Sequence, residues 1–137
     1  RQWNATCVDK PHAPAPAGAG DIRWGARPPS SLKQYAPATD GLAVYVPKTT
    51  PTALEGVAVA EADYSFDHGR LFSANFYVDG EAGRDAILAA YVKKYGTPQA
   101  YNQEAGSYSW KWPGSKVSVS INYNAAHGRT TVNFNHG

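Results

Sequence analysis

Between Ala58 and Val78 apolar and polar residues alternate twice, on either side of Asp67-His68-Gly69. Ala58, Ala60, Ala62, Tyr64 and Phe66 interleave with Val59, Glu61, Asp63, Ser65 and Asp67. Phe72, Ala74, Phe76 and Val78 then interleave with Ser73, Asn75, Tyr77 and Asp79. A period of two is that of a strand with one buried face, so this stretch demands an antiparallel hairpin. Both apolar sets are even-numbered, and cross-strand partners share a face. The numbers of paired residues must then sum to an even value, or one set turns to solvent. A three-residue loop over 67–69 meets that condition, facing Phe66 with Arg70 and Tyr64 with Phe72, with Gly69 closing a bulged turn. A two-residue loop at His68-Gly69 would pair Asp67 with Arg70 and break the parity.

A helix should follow directly. Asp79 or Gly80 suits the N-cap, and Ile87, Leu88, Tyr91, Val92 and Tyr95 recur at one-face helical spacing. Lys93 and Lys94 fall in the last turn, where the helix dipole favours cations. Gly96 and Pro98 end the element. The stripe is expected to pack on the sheet.

The second half alternates again. Tyr108, Trp110 and Trp112 give a strand with one aromatic face. Val117, Val119, Ile121 and Tyr123 precede a turn, and Val132 and Phe134 follow it, so odd numbers give way to even. An even loop is now required, and a two-residue His127-Gly128 loop would pair Tyr123 with Val132 and Ile121 with Phe134. Leu42 to Val46 reads as a further strand. Ser30 can cap a short helix over 32–35, stopped by Pro37.

The fold class is therefore α+β, an antiparallel sheet packed by one main helix. Likenesses between Tyr35 and Tyr95, between His68-Gly69-Arg70 and His127-Gly128-Arg129, and between Asn75-Phe76 and Asn133-Phe134 suggest a pseudo-repeat of helix-strand-strand-strand. Residues 1–20, with Pro11, Pro14 and Pro16 among Ala and Gly, read as an extended arm, and 21–137 as a single domain. Trp3 within the arm should dock on its own domain or on a partner, because exposed indole is unfavourable. Cys7 is the one cysteine, which excludes an intrachain disulfide.

The chain has no Met and no spanning helix, and its Tyr-, Asn-, Ser- and Thr-rich composition suits an exported protein freed of its leader, periplasmic or secreted. A formal charge of +2, dispersed along the chain, gives no footprint for nucleic acid. Phosphate cradles and dinucleotide fingerprints are absent. Glu61 and Asp63 share a strand face, but that face should be solvated. Asp67-His68 reads as turn chemistry. His68 and His127 could meet only if both turns lay at one end, and two ligands make no metal site. No enzyme activity, cofactor or metal is expected.

What remains is a polar sheet face directed away from the helix: Ser118, Ser120, Asn122, Asn124, Thr131, Asn133 and Asn135, with Tyr77 on the first hairpin. Uncharged amides and hydroxyls pair with protein or sugar at lower desolvation cost than charges. The candidate partner-binding residues are Trp3, Cys7, Tyr77, Asn122, Asn124, Asn133 and Asn135. They point to a non-catalytic exported module for protein binding or self-assembly. A secreted inhibitor of a hydrolase and a carbohydrate-binding surface protein remain open alternatives.

The order of helix and three strands, twice, resembles small exported bacterial modules. So do the Trp24-Gly25 pair, the hairpin from Tyr64 to Leu71 and the Tyr95-Gly96-Thr97-Pro98 helix exit. These motifs look like a group of uncharacterised periplasmic proteins. More distantly, the pattern is similar to the β-lactamase inhibitor proteins and to the small lipoprotein of the outer-membrane assembly machine. The chain departs from them in lacking an aliphatic lipobox before Cys7 and any cysteine pair. The resemblance implies binding without catalysis and carries over no site residue.

Overall fold

The structure, a computed structural model, describes residues 11–49 and 53–137. A small hairpin, β1 (Gly18–Ala19) and β2 (Ile22–Arg23), precedes β3 (Leu32–Gln34) and β4 (Leu42–Pro47). A second small hairpin, β5 (Ala53–Leu54) and β6 (Val57–Ala58), leads into β7 (Glu61–Asp67) and β8 (Arg70–Asp79). Helix α1 (Gly80–Tyr95) follows, then β9 (Ala100–Asn102), β10 (Ser107–Lys111), β11 (Val117–Asn124) and β12 (Arg129–His136). The main sheet is eight-stranded and antiparallel, in the order β3-β4-β7-β8-β12-β11-β10-β9. Two meanders thus run inward and meet at β8 and β12, where Asn75 faces Asn133. Among the described residues no helix is long and apolar enough to cross a membrane.

The alternation reads out directly as burial. Tyr64, Phe66, Phe76, Trp110, Val119, Ile121, Val132 and Phe134 all lie in the core, beneath Ile87, Tyr91 and Tyr95 of the helix. Tyr91 meets Trp110 edge-on at 5.9 Å, and Tyr95 meets Trp112 at 4.9 Å. Leu88 and Val92 flank this stripe half-buried, packed against the core. Each fully buried large side chain contributes about 1.5–3 kcal/mol.

Both hairpins depart from the loops expected of them. In the first, Asp67 does pair with Arg70, across a two-residue His68-Gly69 turn with φ of 49° and 80°. Such a turn matches the right-handed twist of its strands. It is held by a 2.7 Å contact between His68 Nδ1 and Asp67 Oδ1. Parity is recovered inside the strand. Phe66 faces Leu71 while Ser65 faces Ser73, so Phe72 is the extra residue of a bulge and Leu71 takes the core position.

In the second hairpin Asn124 pairs with Arg129 and Ile121 with Val132, leaving a four-residue loop over 125–128. The register is two residues from the expected one, which preserves the faces. Asn124 decides it: its Oδ1 accepts the Ala126 N–H at 3.0 Å and its carbonyl accepts the His127 N–H at 3.2 Å. Gly128, at φ 59°, then turns its carbonyl to the Gly80 N–H at 2.8 Å.

Residues 32–34 form a strand, not a helix. So few residues between prolines cannot offset helix nucleation, whereas β4 offers a ladder: the Tyr35 N–H bonds the Val44 carbonyl at 2.8 Å. The helix-led unit expected twice is therefore not seen in the first half, and the element order behind the family resemblance is altered there.

Of the expected arm, the described residues 11–20 are bound to the domain. The His12 N–H bonds the Tyr95 carbonyl at 3.1 Å, Trp112 Nε1 donates to the Ala13 carbonyl at 2.7 Å, and Trp24 Nε1 donates to the Pro16 carbonyl at 2.9 Å. Ala19 is fully buried. Residues 11–20 thus belong to the domain, because the Trp24 and Trp112 indoles capture the Pro16 and Ala13 carbonyls. Trp3 and Cys7 lie outside the described residues.

Candidate recognition face

The sheet's second face is open, and register assigns its residues to rows. One row runs Asp63, Asn75, Asn133, Ser120, Ser109 across β7, β8, β12, β11 and β10. The next runs Glu61, Tyr77, Thr131, Asn122, Ser107. The centre is amide and hydroxyl, as the alternation predicted. Charge gathers toward β7.

There the side chains are already tied together. Asn133 Nδ2 donates to Asn75 Oδ1 at 2.9 Å, and Asn75 Nδ2 donates to Asp63 Oδ1 at 3.0 Å. The Tyr77 hydroxyl donates to Asp63 Oδ2 at 2.6 Å. Both Asp63 oxygens are therefore engaged by neutral donors. Burial, then the bond to Asp63, pushes the Tyr77 phenol above its ordinary pKa, so it stays a donor. The Arg129 guanidinium lies 5.6 Å from the Tyr77 ring centroid. It pairs with Glu61 at 2.9 Å and more loosely with Asp79 at 3.6 Å.

Of these groups Glu61, Asp63, Tyr77 and Arg129 line a cleft of about 730 Å³, together with Tyr35, Val44, Val46 and Pro47. The large hydrophobic side chains most exposed to solvent are Tyr35 (74%), Leu42 (50%), Tyr101 (41%) and Val44 (38%). Tyr35 and Val44 line this cleft, and Leu42 lies two residues before Val44 on β4. Leu42 and Val44 oppose the outward residues Asp67 and Ser65, which places them on the open face.

The sequence-predicted site residues separate by what their side chains already do. Tyr77 stands in the cleft. Asn133 is half-buried and bonded within the Asn75–Asp63 network, and Asn124 is spent on its turn. Asn122 is exposed and Asn135 half-buried, and neither has a side-chain hydrogen bond among the described residues. Asp63, Arg129, Tyr35 and Val44 were not selected from sequence. Glu61 and Asp63 carried the signal, as acids on the strand face opposite Tyr77, but their link to Tyr77 needs the register.

His68 and His127 lie in turns at opposite ends of β8, about 30 Å apart at strand rise. Among the described residues no group of three His, Cys, Asp or Glu could hold a metal ion. No family model matches the chain, and no curated protein or solved structure matches it either.

Proposed function

We propose that this chain is a non-catalytic recognition module that binds another protein through the open face of its sheet, outside the cytoplasm. The observation that carries this reading is the exposure of Tyr35 and Val44 at a cleft whose Asp63 and Tyr77 are already hydrogen-bonded, with exposed Leu42 further along β4. An apolar rim next to fixed polar groups is the make-up of a protein contact: the rim supplies burial and the floor supplies register. A floor held by internal bonds needs no further ordering on association, which lowers the entropic cost. The neutral amide strip beyond it can be desolvated at modest cost.

The sequence leaves two modes open, the sheet face and the arm over residues 1–20, and favours the arm for self-assembly or attachment; we take the face as the better supported of the two. The arm's residues 11–20 have their backbone engaged inside the domain. The face remains accessible.

The test compares variants. The purified chain is immobilised and exposed to envelope and secreted fractions of cells that make it. Val44→Lys and Tyr35→Ala should each abolish retention of a discrete protein, while Lys93→Glu on the helix side should not. Retention of glycan instead of protein, lost in Tyr35→Ala, would favour the carbohydrate reading. Unchanged retention in both face variants would remove this proposal.

A further inference from the structure

The ladder between β4 and β7 stops short, and it stops at the cleft that holds Asp63 and Tyr77. The two strands pair from Leu42 with Asp67 to Tyr45 with Tyr64. Bonded and unbonded rungs alternate along an antiparallel ladder. The His68 N–H on the Gly41 carbonyl sets the phase, so Ala43 and Tyr45 are the bonded partners of Phe66 and Tyr64. Pro47 comes next, opposite Ala62, and proline has no N–H to give. The Ala62 carbonyl is left without its strand donor. Ala62 and Pro47 both line the cleft, and the Ala62 side chain is buried on the core face, so Ala62 meets the cleft with its backbone.

Asp63 is the second unmatched acceptor. It is half-buried and forms no ion pair among the described residues. Continuing the β4–β7 register sets Val46 beside Asp63 and Lys48 beside Glu61, and Arg129 pairs with Glu61 at 2.9 Å. Both cations of the cleft thus stand by Glu61, whereas Asp63 has Val46 and Asn75 in its row. A carboxylate held only by neutral donors keeps its charge uncompensated. The Tyr77 phenol registers that field: after burial, Asp63 and Glu61 push it up and Arg129 alone opposes them.

We infer that the partner inserts an arginine side chain into this cleft, an inference that rests on the protein-binding reading above. A guanidinium is planar, always charged and rich in donors, so one fork reaches the remaining lone pairs of Asp63 and the Ala62 carbonyl together. Val44 and Val46 cover its methylene stem. Tyr35 shares the open face with Val44, whose carbonyl accepts its N–H, and its exposed ring gives the guanidinium a surface to stack on. An ammonium brings the charge without the fork or the flat face.

The test is an NMR titration of the isotope-labelled full chain with Nα-acetyl-arginine amide. The citrulline analogue serves as its uncharged isostere, and the lysine analogue carries charge without the fork. The arginine compound should give saturable shifts at Tyr35, Val46, Ala62 and Asp63, and the citrulline compound should bind at least about tenfold more weakly. Asp63→Asn keeps an oxygen for the Tyr77 hydroxyl, removes the charge, and should weaken arginine binding to the citrulline level. Tyr35→Ala, at an exposed position, should weaken it without touching the core. Should Asp63→Asn fail to fold, the citrulline comparison and Tyr35→Ala decide. Equal binding of arginine and citrulline compounds, lysine binding as tight as arginine, or no saturation in the wild type would overturn the inference. If the wild type shows no arginine binding while Val44→Lys still loses a retained protein, the anchor is wrong and the protein-binding reading stands.

Discussion

Tyr91→Phe should make this protein more stable. The Tyr91 side chain is 1% exposed and its hydroxyl has no hydrogen-bond partner among the described residues. Its ring stacks on Tyr95 at 5.3 Å and meets Trp110 and Phe134 edge-on at 5.9 and 6.3 Å, contacts that Phe retains. A buried hydroxyl left unbonded costs about 1–3 kcal/mol. Deleting it leaves a void near the size of a methyl group, which costs about 1 kcal/mol. The net gain is about 1 kcal/mol, a rise in melting temperature of about 3–5 °C for a domain of this size. Tyr77→Phe provides the contrast, since that hydroxyl donates to the Asp63 carboxylate at 2.6 Å. Its loss should destabilise by about 1–2 kcal/mol at a half-buried position. Urea unfolding of wild type and both variants, followed by far-UV circular dichroism, reads the two signs. If Tyr91→Phe destabilises by 1 kcal/mol or more (~, the size of one net hydrogen bond), the hydroxyl has an acceptor after all and the reasoning fails.

Other expected outcomes follow from the same packing. Burial pushes the Tyr64 and Tyr95 phenols up to about 12, and those of Tyr77 and Tyr91 higher still. The unfolded chain releases these protons first, near the ordinary value of 10.0, so stability is complete below that pH and falls as pH rises toward 12. Urea midpoints measured from pH 8 to 12 (about the tyrosine titration range) should decline across that window, and a flat profile would contradict it. Asn124→Ala removes the bond that sets the 125–128 loop and should cost about 0.5–1.5 kcal/mol by thermal melting. Trp112→Phe deletes the 2.7 Å bond to the Ala13 carbonyl and should speed hydrogen exchange at the His12 amide, which an extended arm would not show.

Much of the architecture was legible because period-two alternation and helix spacing are local. Strands β7, β8, β11 and β12, the α1 stripe and the polar outer face all follow from them. Other features were not, where a local preference had more than one outlet or a distant neighbour decided. Parity at Phe66 and Phe72 demanded one extra residue, but the demand can be met in the loop or in the strand, and twist favours a tight turn with the bulge beyond it. At Asn124 two even loops keep the same faces, and a single side-chain bond chooses between them. Residues 32–34 form a strand because β4 lies beside them, a neighbour that no window of sequence contains. The candidate cleft was half legible: Tyr77 stood out as an aromatic on a polar face, whereas Asp63, Arg129 and Tyr35 join it only through register and the β3–β4 edge.

Site-specific photo-crosslinking tests the central claim most directly. A photoreactive phenylalanine analogue is placed at Val44, on the open face, or at Lys93, on the exposed side of the helix. The chain is then made in its source cells and irradiated. A discrete protein adduct from Val44, none from Lys93, and competition of the Val44 adduct by unlabelled wild-type chain is the result this account predicts. Adduct formation from Lys93 with none from Val44 would contradict it and move the binding surface to the helix.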